Sequence, residues 1–138
     1  MTTPISFAVT WDYRCPFARN AHEHLLDGLA DGADWDITYL PFFLNQSHVA
    51  EGGTPAWEDP HHTPHLLPLE AGIVARDRFP EHFPEVHRSL FAARHDEGGD
   101  LRERDAVRKA LERVGAPVDD ILAQVERRLA PGGCPHRA

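Results

Sequence analysis

Along the first part of the chain, Ile5, Phe7, Val9 and Trp11 alternate with Ser6, Ala8 and Thr10. That alternation predicts a strand, because successive side chains of an extended backbone point to opposite faces. Pro16 then predicts a helix start, since a first-turn proline gives up an N–H that has no intrahelical partner. Phe17, Ala21, Leu25 and Leu29, with Ala18 and Leu26 beside them, form an apolar stripe at helical spacing, and Gly28, Gly32 and Asp34 bring the helix to a close. Trp35, Ile37 and Tyr39 alternate with Asp36 and Thr38, predicting a second strand that ends near Pro41. Strand, helix and strand in this order make residues 1–43 a βαβ unit, whose crossover renders the strands parallel and right-handed.

Residues 44–65 read differently. Gly52-Gly53 and Pro55, Pro60 and Pro64 predict a long irregular loop, with Trp57 as its anchor. Residues 66–129 carry helical patterns only. The first runs from Leu66 to Arg78, interrupted early by Pro68, and the second is marked by Phe83, Val86, His87, Leu90 and Phe91. Gly98-Gly99 stops that second helix, and Asp100 with Glu103 resembles a capping box ahead of Val107, Ala110, Leu111 and Val114. Pro117 then opens a last helix carried by Val118, Ile121, Leu122, Val125 and Leu129, and residues 130–138 form a tail. The expected class is α/β, yet two parallel strands alone make a poor sheet, since parallel sheets are normally larger and covered on both faces. Further strands are expected from elsewhere, or the chain is incomplete.

At 138 residues the chain suits one domain with one core. Its 22 acidic and 14 basic side chains give a formal net charge of −8, with the basic residues interleaved among acids. This balance argues against nucleic-acid or membrane-surface binding, which would need a basic patch. No apolar run approaches the roughly 18–20 residues of a membrane span, and Met1-Thr2-Thr3-Pro4 enters a strand pattern without a leader-like segment, so a cytoplasmic location is expected. Cys15 and Cys134 lie too far apart in sequence for a disulfide framework or a closely spaced redox pair, and both are expected to be free thiols.

Cys15 carries the chemistry. Trp11-Asp12-Tyr13-Arg14-Cys15-Pro16-Phe17-Ala18 runs from strand straight into helix, which sets the sulfur at the positive end of a helix dipole. Thiols so placed favour the thiolate, with pKa values falling from about 8.5 towards 3.5–7.5. First-turn N–H groups would serve as donors, with Arg14 or Arg19 as nearby positive charge. Trp11, Tyr13 and Phe17 bracket the sulfur; they either offer an apolar surface to substrate or close the core, and Phe17, on the helix stripe, is expected in the core. His61, His62 and His65 crowd a proline-rich loop without a cysteine nearby, so no metal site is expected. His22 and His24 flank the helix stripe, where a surface role is expected, although His22 is near enough to influence a thiolate. Cys134 is expected to be a free tail thiol rather than a distal resolving partner.

The strand, the Asp12-Tyr13-Arg14-Cys15-Pro16-Phe17 junction, the second strand ending in Pro41-Phe42 and the helices behind it resemble the DsbA family of thioredoxin-fold thiol oxidoreductases. The segment from Phe83 to Gly99 resembles that family's helical domain. The resemblance implies a thioredoxin-like βαβ unit followed by an inserted all-helical domain, with Cys15 as the attacking cysteine and Pro16, Arg14, Tyr13 and Phe17 stabilising the thiolate or contacting substrate. Ala18 stands where many members carry a resolving cysteine, so the implied chemistry is monothiol: Cys15 forms a mixed disulfide with a disulfide-containing or electrophilic substrate. A low-molecular-weight thiol such as glutathione or mycothiol is the implied co-substrate, with no bound cofactor. The family's later strands and cis-proline have no counterpart among the nine residues after Leu129, so C-terminal strands are expected to be missing. One alternative is therefore a truncated, inactive fragment that self-associates, for instance as a homodimer, or binds a partner strand. Another is the isomerase and glutathione-transferase-kappa branch, against which Cys15 argues, because that branch normally has serine there.

Overall fold

The structure, a computed structural model, describes residues 3–130. It is mixed α/β, with a two-stranded parallel sheet and five α-helices. Strand β1 (Ile5–Trp11) leads into α1 (Pro16–Ala30), which returns the chain to β2 (Trp35–Pro41). The strands pair in register from Ile5 opposite Trp35 to Trp11 opposite Pro41. Gly32 ends α1 with φ +96°, a left-handed conformation that suits glycine, and its N–H closes the helix on the Leu29 carbonyl. Residues 44–65 hold three short 3₁₀ turns, and the chain then builds α2 (Leu66–Arg78), α3 (Phe83–His95), α4 (Arg104–Glu112) and α5 (Val118–Leu129).

The predicted strand alternation is realised with one covered face. Phe7, Val9, Trp11, Trp35, Ile37 and Tyr39 point inward and are half-buried or buried, whereas Ser6, Ala8, Thr10, Asp36, Thr38 and Leu40 are exposed. Two helices cover the inner face. Gly28 of α1 lies so close to Trp35 that a Cβ there would come within 2.3 Å of the indole, and α3 sets Phe83 and His87 against Trp11 and Tyr39.

Helix α1 departs from expectation in its rotation. His22 and Leu26 are its buried residues, with Ala18 packed against the core, while Phe17 and Ala21 face solvent. The stripe read from apolar residues alone is displaced by about one position, or roughly 100° around the axis. Two contacts fix the observed rotation: His22 is hydrogen-bonded inward, and Gly28 admits the Trp35 ring.

Helix α2 is buried on nearly every side, from Leu66 through Ala75, and forms the centre of the helical body. Helices α3 and α5 pack on it, α4 packs on α3 and α5, and Val86, Leu90, Phe91, Val107, Leu111, Ile121 and Val125 fill the space between. The same buried cluster extends without a break to Trp11 and Tyr13. Buried Glu70 meets Arg128 of α5; burial pushes its carboxyl up, with the guanidinium pulling it back. The capping box expected from Asp100 and Glu103 does not form. Glu103 occupies the N-cap of α4 without a side-chain bond, because Asp100 is taken by the main-chain N–H and guanidinium of Arg102. The loop is anchored at Ala56, fully buried with its N–H on Gln46 Oε1, and at the half-buried Trp57, which packs against the core. No helix among the described residues is long and apolar enough to cross a membrane.

Candidate functional site around Cys15

Cys15 is the N-cap of α1, in extended conformation (φ −89°, ψ 114°), with Pro16 following in the first turn. Its N–H closes a turn on the Asp12 carbonyl, and its own carbonyl accepts the first helical bond from Arg19. The sulfur takes the place of a capping oxygen: the Ala18 N–H donates to Sγ at 3.4 Å. Cys15 is a half-buried free thiol, and no acidic residue stands in the first turn. Phe17 is 82% exposed, so the expectation that it closes the core is corrected: with α1 rotated to bury His22, position 17 lies on the solvent side. Pro16 is exposed too, and the two form an apolar ledge next in sequence to the thiol.

Asp12 holds the turn in shape. Its buried carboxylate accepts the main-chain N–H of Arg14 on one oxygen (3.0 Å) and of Leu44 on the other (2.8 Å), tying the end of β1 to the loop after β2. Burial raises its pKa, opposed by those two N–H groups and by the Arg14 charge. The Arg14 side chain donates to Asn45 Oδ1, and Asn45 in turn donates through Nδ2 to His62 Nδ1 at 2.8 Å. Among the described residues Arg14 makes no hydrogen bond to the sulfur. Arg19, the other cation expected near the thiolate, is committed to Asp96 at 2.6–2.7 Å and to Glu23.

Tyr13 corrects a second expectation. It is fully buried (0% exposed) and offers no surface to a substrate, because its phenol heads a polar seam through the core. Tyr13 Oη meets His87 Nδ1 at 2.8 Å, His87 Nε2 meets His22 Nδ1 at 2.8 Å, and His22 Nε2 meets the Thr10 carbonyl at 2.9 Å. Burial favours neutral rings for both histidines, and because a carbonyl only accepts, the network then assigns every proton. His22 donates from Nε2 to Thr10, His87 donates from Nε2 to His22, and the Tyr13 hydroxyl donates to His87. Both neutral rings thus carry their hydrogen on Nε2. Burial lowers the pKa of His22, against the pull of its bond to Thr10, and lowers that of His87 further, with His22 adding to the effect. Burial also pushes the Tyr13 phenol well above its usual value; the Trp11 indole N–H opposes this, without reaching hydrogen-bond geometry. The surface role expected for His22 is therefore overturned. Its place four residues after Ala18 and four before Leu26, on the buried helix face, was the available sequence signal.

A third feature has no precursor in the sequence pattern. Arg14, His65 at the end of the loop, Arg94 near the end of α3, and Asp100 and Arg102 in the following segment line a pocket of about 390 Å³. Asp100 is held by Arg102, whose hydrogen bonds and charge bring its pKa down to about 2. The half-buried His65 ring is held below its usual pKa by burial first and then by the Arg14 and Arg102 charges. Of the other expected residues, His61 is exposed and His62 bonds to Asn45, and no group of three metal-ligating side chains occurs among the described residues. Cys134 lies outside the described residues. The chain matches no family model, no curated protein and no solved structure.

Proposed function

We propose that the protein is a monothiol thiol–disulfide oxidoreductase of the DsbA-like class, acting through Cys15 on a thioredoxin-like βαβ unit whose helices α2–α5 correspond to that class's helical insertion. The observation that carries this reading is the sulfur in the N-cap position of α1, half-buried, with the Ala18 N–H directed at it. A thiolate there is stabilised by a main-chain donor and the helix dipole and remains reachable by a substrate. The Cys15 thiolate attacks one sulfur of a disulfide R–S–S–R′, forming the bond Cys15–S–S–R and releasing R′–S⁻. A second thiolate, from a low-molecular-weight thiol such as glutathione or mycothiol in a reducing cytoplasm, then attacks the R sulfur and returns the Cys15 thiolate. Exchange is balanced in electrons, and its direction follows the thiol and disulfide supply. Ala18 requires the external thiol, since no sulfur stands one turn along to resolve the mixed disulfide.

The test is alkylation by iodoacetamide at pH 6.5, followed by mass spectrometry of the Cys15 peptide. Cys15 is expected to react about tenfold faster than N-acetylcysteine, and incubation with a small disulfide is expected to leave one adduct on Cys15 that Cys15→Ser lacks. A rate equal to N-acetylcysteine, with no adduct, overturns the reading.

A further inference from the structure

We propose that the pocket lined by Arg14, His65, Arg94 and Arg102 binds a carboxylate of the small thiol or disulfide that reacts at Cys15. The proposal rests on the reading of Cys15 as a nucleophile, and it names the feature that selects the co-substrate.

The charge distribution is the first ground. In a chain of net charge −8, three arginines, Arg14 from the thiol-bearing turn and Arg94 and Arg102 from the end of α3 and the segment after it, line one cavity. Asp100 is the carboxylate on its wall, and Arg102 holds it in a two-pronged clamp with contacts of 2.7–3.2 Å. Asp12 lies close enough to feel Arg14, but its two oxygens take the main-chain N–H groups of Arg14 and Leu44. The Arg14 guanidinium bonds the neutral Asn45, and the exposed Arg94 side chain has neither an ion pair nor a hydrogen bond among the described residues. Like charges gathered in this way repel one another, and an anion between them relieves the repulsion. Guanidinium forks match a planar carboxylate in geometry as well as charge.

Position is the second ground. Cys15 is not on the pocket wall, but Arg14 is, and consecutive Cα atoms lie about 3.8 Å apart. The turn that carries the thiol thus also supplies one wall of the cavity. Gly98, with φ +67°, lines the same cavity and carries no side chain to fill it. This chemistry distinguishes the two thiols named above: a peptide thiol such as glutathione carries carboxylates, whereas mycothiol, a sugar-linked thiol, carries none.

The probe is S-methylglutathione, which has the carboxylates and lacks a reactive thiol, titrated calorimetrically into the full chain. Saturable binding is expected, weakened about tenfold by Arg94→Gln and by esterification of the probe's carboxylates, and unchanged in Cys15→Ser. Bound probe is also expected to slow iodoacetamide alkylation of Cys15 in proportion to occupancy. Equal affinity for acid and ester, an unaffected Arg94→Gln, or binding of inorganic phosphate without any binding of the probe overturns the proposal. The two readings fail separately. A fast thiol that the bound probe leaves unprotected removes the pocket's role, whereas a protected thiol of ordinary rate removes the nucleophile and leaves the carboxylate site.

Discussion

Leu90 of α3 is fully buried, while Leu40 of β2 is 43% exposed, although both are leucines inside regular elements. The contrast holds for the regions around them. Helix α2 is enclosed on nearly every side, whereas the strand pair is covered on one face by α1 and α3 and presents Ser6, Ala8, Thr10, Asp36, Thr38 and Leu40 to solvent on the other. Tertiary stability therefore resides in the helices, and the strands contribute chiefly where Trp11 and Tyr39 reach into the same core. The thiol sits on the seam between the two, carried by the chain as it leaves a lightly buried strand but held by contacts from the helical body.

Leucine truncation gives the largest effect that would break the contrast. Leu90→Ala is expected to destabilise by about 2–5 kcal/mol in urea unfolding, and Leu40→Ala by less than about 1 kcal/mol. Equal losses would mean that the exposed sheet face is covered in solution. Gly72→Ala comes next. An added Cβ there would lie 2.2 Å from Tyr13 Oη, so the change is expected to cost about 1–3 kcal/mol and to alter the alkylation rate of Cys15, two residues along. A lower stability with an unchanged rate would separate the thiol-bearing turn from the helical body.

The smallest effect is read against pH. His22 and His87 titrate below their usual 6.5 in the native protein, so below about pH 6.5 the unfolded chain binds protons that the native chain does not, and stability falls as pH drops. Asp12 and Glu70, raised by burial, act with the opposite sign above their usual 3.8 and 4.5, because there the native state holds the extra proton. Comparing wild type with His87→Gln cancels these carboxyls. The stability difference should move in favour of the variant by up to about 1.4 kcal/mol per unit of pH lost below 6.5. A pH-independent difference would show that the ring protonates freely in the native state.

Local order was legible in the sequence where local rules govern it. The alternation of Ile5–Trp11 and Trp35–Pro41, Pro16 at the start of α1 and the spans of α2 and α3 follow from periodicity and proline chemistry. The N-cap sulfur was legible for the same reason. The rotation of α1 was not, because hydrophobicity scores Phe17 above His22, and only tertiary partners, the Thr10 carbonyl and, 65 residues away, His87, make a histidine the better inward residue. The pocket was hidden similarly: Arg14, Arg94 and Arg102 each sit among neighbours of mixed charge, and their convergence is a product of tertiary folding. Asp100 misled because two sets of donors competed for its carboxylate, the N–H groups of the α4 terminus and Arg102, and the nearer guanidinium prevailed.

Tyr13 is gripped by one helix at both ends. His87 takes its phenol, and His95 Nε2 donates to its carbonyl at 2.8 Å. Eight residues separate the two histidines, a span of about 12 Å along α3, so the turn that bears the thiol is pinned like a plank at two nails to a single beam. Arg94 stands beside the second nail and Asp96, holding Arg19 of α1, just past it. That end of α3 is therefore joined both to the Tyr13 carbonyl and to the first turn of α1, so the sulfur between them is braced by the beam as well as by the strand end at Asp12.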